Sequence, residues 1–550
     1  MKTLLAIIIA IALALAVAWG NRLDLLMWGV PILTDLTDPI GPNVPTAWQA
    51  GPETAARPPG ERPPNIVLIF ADDLGYNDVS FTNGGAGDGS VQTPHIDAIA
   101  HEGVTFANGY AANAICAPSR ASILTGRYST RFGFEFTPFP RIGATISEWM
   151  NETDAPLPTI IRHDLLDQLP DMSAMALPDG EVTIAEVLRA AGYYTAHIGK
   201  WHLGREPGQR PEDQGFDDSL YMAGAFYLPE DHPKVVNAMD EDSGIERMVW
   251  TMARYAAQWN GGPLFEPDGY LTDYYTDEAV KVIEANRHRP FFLYLSHWGI
   301  HNPLQALRSD YDALAHIEDH ALRVYAGMIL SMDRSVRRME EALEAHGLAE
   351  NTLVVFTSDN GGAGYIGLPD VNMPYRGWKL THFEGGLHVP FAARWPARIA
   401  PGTVVDDPVH HFDLFTTFAT AAGGRLPGDR VIDGVDLLPY ARGEADGVPH
   451  ETLFWRQGHQ QTVLHQGWKM IRTDRPEKAW LFDLANDPTE QRDVAAALPE
   501  RVAQLQALLA AHNARQAEPM WPSVLDVPQL IDKPTTEPYQ EGDEYLYWPN

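Results

Sequence analysis

The apolar and polar positions of this chain alternate between two periodicities. Ile66-Val67-Leu68-Ile69-Phe70 is an unbroken apolar run, the pattern of a strand buried on both faces of a parallel sheet. The runs Tyr193 to Ile198, Phe291 to Ser296 and Leu353 to Ser358 repeat it. Amphipathic stretches of helical period separate them, from about Thr272 to Asn286 and from about His320 to His346. Thr183 with Glu186 forms a capping box ahead of a helix that ends near Gly192. This alternation predicts an α/β fold, a mostly parallel sheet with helices on both faces. Near Asp433 the style changes. The short runs Thr452 to Arg456, Thr462 to Arg472 and Ala479 to Leu484 predict an antiparallel sheet, and a helix follows from about Pro499 to Arg515. This makes a smaller C-terminal α+β subdomain.

The ends of the chain read differently. Lys2 precedes an apolar run from Leu4 to Trp19, and Ala16-Val17-Ala18 has the form of an export-signal cleavage site. The run approaches the ~20 residues that span a bilayer, and a second apolar patch, Leu25 to Leu33, follows it. Residues 1–35 are therefore expected to be a cleaved signal peptide or an N-terminal membrane anchor. The protein is expected to be exported, periplasmic or extracellular. Residues 36–64 carry Pro39, Pro42, Pro45, Pro52, Pro58, Pro59, Pro63 and Pro64 and read as a linker or extended strap. The expected organisation is a catalytic domain over 65–432, the C-terminal subdomain over 433–515 and a Pro- and aromatic-rich tail over 516–550. A chain of 550 residues is long enough for that division. Asn151-Glu152-Thr153 matches a glycosylation sequon and is read as a chance occurrence.

The formal net charge of −33 argues against nucleic acid as a partner, since the whole-molecule field repels phosphates. An anionic substrate then needs a local positive pocket. Ligands of open α/β sheets sit at the carboxyl ends of strands, and each apolar run here ends in polar residues. The first runs into Asp72-Asp73, the second into Lys200-Trp201-His202, the third into Ser296-His297-Trp298-Gly299-Ile300-His301-Asn302-Pro303, and the fourth into Ser358-Asp359-Asn360-Gly361-Gly362. Singly, each has an ordinary reading as turn, cap or solvated surface. Cys116, the only cysteine, cannot form an internal disulfide. It opens Cys116-Ala117-Pro118-Ser119-Arg120-Ala121-Ser122-Ile123-Leu124-Thr125-Gly126-Arg127.

That run fits C-x-P-S-R-x-x-x-L-T-G-R and resembles the signature of the type I, formylglycine-dependent sulfatases, arylsulfatase-like in kind. The resemblance extends from about Asn65 to Arg515 and implies an alkaline-phosphatase-like fold. It implies that a maturation enzyme reads the Cys-x-Pro-x-Arg core and oxidises Cys116 to formylglycine. Asp72, Asp73, Asp359 and Asn360, with the modified Cys116, would ligate one divalent metal. Their hard oxygens suit Ca²⁺ first and Mg²⁺ second. Arg120 would brace the formylglycine. Lys200 and His202 match the family's K-x-H, His301 its S-x-x-x-x-H-x-P, and Lys379 its G-x-K-x-x-x-x-E-G-G-x-x-V-P. His297 and His382 fall close by in sequence but outside the substrate-touching set.

The chemistry so implied starts from a hydrated aldehyde. One hydroxyl attacks sulfur, His301 or Lys379 protonates the leaving alcohol or phenol, and a sulfate hemiester remains on residue 116. His202 then deprotonates the second hydroxyl, and sulfate leaves as the aldehyde reforms. Two departures from the family bear on preference. His388 stands where many relatives have arginine, and Arg131 to Pro140 is unusually aromatic. The nearest rival reading is a formylglycine-dependent phosphodiesterase or phosphonate monoester hydrolase. A more distant one is a non-catalytic sulfated-glycan-binding protein, which should have lost some of these residues. The natural leaving group (aryl, carbohydrate or steroid) and the oligomeric state stay open at this level.

Overall fold

A computed structural model describes residues 20–151, 155–240 and 244–550. The apolar run Leu4 to Trp19, and residues Glu152 and Thr153 of the sequon, lie outside the described residues.

The four apolar runs form strands β1 (Asn65–Ala71), β2 (Tyr194–Gly199), β3 (Phe291–Ser296) and β4 (Thr352–Ser358). They stand side by side in the order β4-β1-β3-β2, all parallel. Successive side chains of β1 go to opposite faces, as strand geometry requires. Val67, Ile69 and Ala71 enter one core cluster, while Ile66, Leu68 and Phe70 enter another. Two separate cores, one on each side of the sheet, explain why the run is apolar throughout rather than alternating. The sheet has ten strands among the described residues, and antiparallel pairings appear only towards its edges, beyond β4 and beyond Asp218–Met222. The long helices Leu271–Asn286 and His320–Ala345 cover one face, and the capping box at Thr183 and Glu186 starts the helix Ile184–Ala190 on the other.

The C-terminal subdomain is a four-stranded antiparallel meander: Thr452–Gln457, Gln460–His465, Trp468–Asp474 and Glu477–Asp483. The single run expected from Thr462 to Arg472 is two strands. Gln466 and Gly467, at φ 50° and 80°, turn the chain between them, a left-handed pair suited to a hairpin. Leu505 and Leu509 of the helix Pro499–Asn513 pack on Val463, Met470 and Leu481 of this sheet.

Both proline-rich segments are fixed to the body. Trp48 meets Trp259 edge-on at 4.5 Å and donates from Nε1 to Glu278 at 2.8 Å. Gln49 N–H donates to Asp218 at 2.9 Å. The tail supplies strands Leu525–Leu530 and Tyr545–Pro549, which pair with each other and with Ile160–Ile161. The second apolar patch of the N-terminal region lies in a helix, Arg22–Thr37, fastened to the helix Gly244–Met252 side by the ion pairs Asp24–Arg247 and Asp35–Arg254, each 3.2 Å. Its Leu25, Trp28, Ile32, Leu33 and Leu36 face solvent. Among the described residues no helix is long and apolar enough to cross a membrane.

Removing the Ile69 side chain should open a cavity in the larger core. Ile69→Ala is expected to lower stability by about 2–5 kcal/mol, read by chemical denaturation, while the surface change Val404→Ala shifts it far less.

Candidate active site

The four parallel strands end on the same edge, and the polar residues that follow them converge there. Gly199 closes β2 at φ 104°, and a Cβ on it would lie 1.9 Å from the Ser296 carbonyl oxygen. Only glycine allows the close approach of β2 and β3 that delivers Lys200. Cys116 begins a helix, Cys116–Thr125, whose ten residues are all buried. The helix stops at Gly126, which is left-handed at φ 69°. Its first turn faces the strand ends, so residue 116 meets the positive end of the helix dipole.

Arg120, one turn on, is fully buried and holds the strand ends together. Its Nη2 donates to Asp72 at 2.8 Å and to Asp359 at 2.7 Å, and its Nε donates to the same Asp359 oxygen at 3.0 Å. Its Nη1 donates to the Lys200 carbonyl at 3.3 Å and to the Ser296 hydroxyl. One guanidinium thus reaches the ends of β1, β2, β3 and β4. The Phe70 ring lies 5.1 Å from its carbon.

Around this clamp the charges alternate. Lys200 Nζ donates to Asp72 at 2.6 Å, and Lys379 Nζ lies 2.7 Å from one Asp73 oxygen and 2.8 Å from the other. Burial would raise the Asp73 carboxyl, but Lys379 and then Lys200 outweigh it and hold it well below the carboxylate range. Burial would lower the Lys379 ammonium, and Asp73 outweighs that and keeps it charged. Burial and then Asp359 raise Asp72, against Lys200 and Arg120. The Cys116 thiol sits 3.5 Å from Asp72 Oδ1 and 3.9 Å from Asp73 Oδ1. Burial, then Asp359 and Asp72, push it upward, so it stays a neutral thiol. Since the thiolate is the reactive form, this cysteine is not equipped to act as one.

His301 gives a hydrogen to the Asn302 carbonyl from Nδ1 at 2.6 Å. Its Nε2 is left as an acceptor, 3.4 Å from Lys379 Nζ and 3.5 Å from Asp73 Oδ2. Burial, then the two lysines, push both His301 and His202 downward, His301 against the pull of Asp73, so both rings are neutral. His202 Nδ1 has no hydrogen-bond partner among the described residues. Asp73, His202 and Leu380 adopt left-handed backbone at φ 59°, 63° and 78°. Such strain, ~1–3 kcal/mol per residue, persists where packing over-determines it and clusters at functional sites.

Three contributors were not among the expected site residues, although Ser296 and Trp298 lie in the third strand-end segment. Tyr365 donates to Asp73 at 3.1 Å and accepts from Lys379 at 3.2 Å. Trp298 stacks on His301 at 3.9 Å and lies 4.7 Å below the Lys200 ammonium. The Ser296 hydroxyl takes the Arg120 hydrogen bond described above. His297 and His382 instead face packing partners, Ser335 at 3.0 Å and Thr462 at 3.1 Å.

The residues suit a hard divalent cation. Asn360 donates to Asp73 Oδ1 at 2.8 Å and to the Gly361 carbonyl at 2.9 Å. These bonds fix its amide and leave Oδ1 buried with no partner among the described residues. The donor atoms of Asp72, Asp73, Cys116 and His301 lie within 4.8 Å of one another. Asp359 adjoins them, its Oδ1 accepting from the Asp73 N–H at 3.2 Å and its Oδ2 from Arg120. His301, expected only as a proton-transfer residue, thus also borders the cation-binding group.

Strand-end carboxylates, a helix-borne residue 116 and a ring of buried cations define a hydrolase for anionic esters, built on an alkaline-phosphatase-like fold. Residues 64–424 match the Sulfatase family, and residues 377–516 match the C-terminal region of N-sulphoglucosamine sulphohydrolase. The steryl-sulfatase of Mus musculus is 32% identical over 558 residues, covering 84% of this chain and 83% of that protein. The N-acetylgalactosamine-6-sulfatase of Homo sapiens is 34% identical over 472 residues, covering 80% and 83%. The crystal structure of Ps i-CgsB in complex with k-i-k-neocarrahexaose superposes with a TM-score of 0.69 at 28% identity, over 84% of this chain and 95% of that one. The chain belongs to the sulfatase family and is a sulfuric ester hydrolase.

Arg120→Ala strands two buried carboxylates. It is expected to cost about 3–5 kcal/mol of stability and to abolish hydrolysis of p-nitrophenyl sulfate. Arg120→Lys, a single point of charge, cannot reach all the strand ends and should fail nearly as badly. Denaturation midpoints and turnover measured on the same preparations check both.

Proposed function

We propose that the protein is an exported sulfatase that works through formylglycine at position 116 and one divalent metal, Ca²⁺ before Mg²⁺. Asp72, Asp73, Asp359 and Asn360 would hold the metal. The observation that carries the reading is the placement of Cys116: a neutral, buried thiol on a helix N-terminus, beside Asp72 and Asp73 and facing two lysines. A thiol held in that state is a poor nucleophile but a well-placed precursor. The aldehyde, once hydrated, supplies a hydroxyl to attack sulfur and a second to release sulfate. When bound, the metal would supply charge stabilisation for the developing anion.

The chain's own residues do the rest. Lys200 and Lys379 meet the anionic oxygens with charge-assisted donors. Lys379, charged and 3.4 Å from the bare Nε2 of His301, is the proton source for the leaving oxygen and is reprotonated from solvent, while the His301 Nε2 lone pair orients its ammonium. His202, neutral and with an open Nδ1, is the base for the second hydroxyl. Arg120 holds the strand ends in register with residue 116. Two lysines suit the compact anion of a sulfate monoester better than a diester, whose bulky ester group blocks one oxygen. This separates the reading from a phosphodiesterase or phosphonate monoester hydrolase. The exposed apolar side of the helix Arg22–Thr37 supports N-terminal association with a membrane.

Mass spectrometry of the peptide containing residue 116 should show formylglycine when a maturation enzyme is co-expressed. The matured protein should turn over p-nitrophenyl sulfate or sulfated sugars well ahead of a phosphodiester. Full activity with an unmodified thiol, or preference for the diester, would overturn the proposal. Cys116→Ala should be inactive. For the metal, Asp359→Ala should lose bound metal and activity together. Chelated wild type should recover with calcium, whereas recovery with zinc alone would contradict the assignment.

A further inference from the structure

His388 is buried, 1% exposed. Both of its ring nitrogens face acceptors. Nε2 lies 2.8 Å from the Ala107 carbonyl oxygen, and Nδ1 lies 2.9 Å from a Glu384 carboxylate oxygen. A carbonyl can only accept, so Nε2 carries hydrogen. The Glu384 carboxyl is ionised. The buried Lys469 ammonium donates to its other oxygen at 2.7 Å, and the Tyr110 hydroxyl donates to the first at 3.0 Å. Burial would raise this carboxyl, and Lys469 outweighs burial. A neutral ring would set its Nδ1 lone pair against that carboxylate, an arrangement a buried site does not tolerate. The surrounding rings favour a cation. Tyr375 stacks at 4.5 Å, Tyr76 stands edge-on at 4.9 Å, and Tyr110 lies at 5.2 Å. Aromatic faces at this range stabilise positive charge.

The two hydrogen bonds join the segments that deliver the active site. Ala107 lies on the approach to Cys116, beside the bonds Ala111 N–H to Leu387 O at 2.8 Å and Val389 N–H to Gly109 O at 3.0 Å. Glu384 opens the Glu384-Gly385-Gly386 turn. Gly361, which follows the ligand Asn360, packs so tightly on that turn that a Cβ would fall 1.9 Å from Gly385 O. Lys379 reaches the same Gly361-Gly362 stretch through its N–H to Gly362 O at 3.0 Å. Leu380 N–H donates to Ala114 O at 2.8 Å, two residues before Cys116.

We propose that His388 is a positioning residue that works as a buried imidazolium, its two N–H groups clamping the segment that feeds residue 116 to the turn that sets Lys379. The clamp needs a hydrogen on each ring nitrogen, one for the Ala107 carbonyl and one for the Glu384 carboxylate. The charged and titratable groups facing the ring are Glu384, Tyr76, Tyr110 and Tyr375. Lys469 and Glu490 stand behind Glu384, Lys469 Nζ 2.9 Å from Glu490. Burial, against the pull of Lys469, raises the Glu490 carboxyl.

The test uses the whole matured enzyme. The sulfatase activity serves as one readout, and ring protonation, which does not depend on it, as the other. In wild type labelled with ¹⁵N-histidine, the resonances lost in His388→Gln should include two ring nitrogens that each bear hydrogen at neutral pH. His388→Gln, which cannot donate to both acceptors, should lower kcat at least ~10-fold with KM nearly unchanged, as small misplacements of reacting groups do. His388→Arg should stay within ~3-fold of wild type. A single protonated ring nitrogen in wild type would overturn the proposal without touching the catalytic reading. So would equal losses in the Gln and Arg variants.

Discussion

The structure depends on one buried guanidinium. Parallel strands leave their carboxyl ends without mutual side-chain contact, because the bonds between them run through the backbone only. In this chain those ends carry acids, and three carboxylates gathered out of water repel one another. Arg120 makes the gathering stable. Its planar fork bonds Asp72 and Asp359, whose strands are neighbours, and reaches Lys200 O and the Ser296 hydroxyl on the next two. A lysine offers charge without that geometry. Because Arg120 lies one turn along the helix that Cys116 begins, the same contact fixes residue 116 against the strand ends.

Other features follow from placing so much charge at one edge. Lys200 and Lys379 each close on a carboxylate, so the buried group has little net charge of its own within a protein that carries −33 overall. Burial pushes the titratable groups in different directions according to their neighbours. Asp73 stays ionised beside Lys379, His202 and His301 stay neutral beside the lysines, and the Cys116 thiol stays protonated beside the acids. Separated proton affinities of this kind give one site both a proton donor and proton acceptors. The left-handed backbone at Asp73, His202 and Leu380 is the conformational cost of turning three strand-end segments inward together.

The parallel core was legible because both sides of β1 are buried, leaving an apolar run that few other environments explain. The candidate residues were legible because each follows such a run directly. Tyr365 was not. It lies in a Gly-rich stretch without periodicity and acquires its role only when the turn after Asn360 brings its hydroxyl to Asp73. The division of Thr462 to Arg472 into two strands was also hidden, because Gln466-Gly467 interrupts the apolar pattern too briefly to show. The prolines of residues 39–64 accompany backbone whose one helical piece is the short 3₁₀ helix Pro59–Glu61. They did not indicate attachment, which comes from Trp48 finding Trp259 and Glu278 more than 200 residues away.

The C-terminal subdomain extends the same logic outward. Lys469 comes from its third strand and is fully buried between Glu384 and Glu490. Through Glu384 it supports the turn that packs on Gly361. Gln460, from the strand before it, accepts from His382 N–H at 2.9 Å and donates to the Leu380 carbonyl at 3.0 Å. The subdomain therefore braces the segment from Lys379 to Glu384 along its length, although none of the candidate catalytic side chains comes from it. Two ionic clamps of different kind result. The inner one is a guanidinium that no accessible pH discharges. The outer one includes an imidazole, whose charge depends on its surroundings. Since the outer clamp bears on Lys379 and on the approach to residue 116, the site can loosen at its rim while its centre keeps its register.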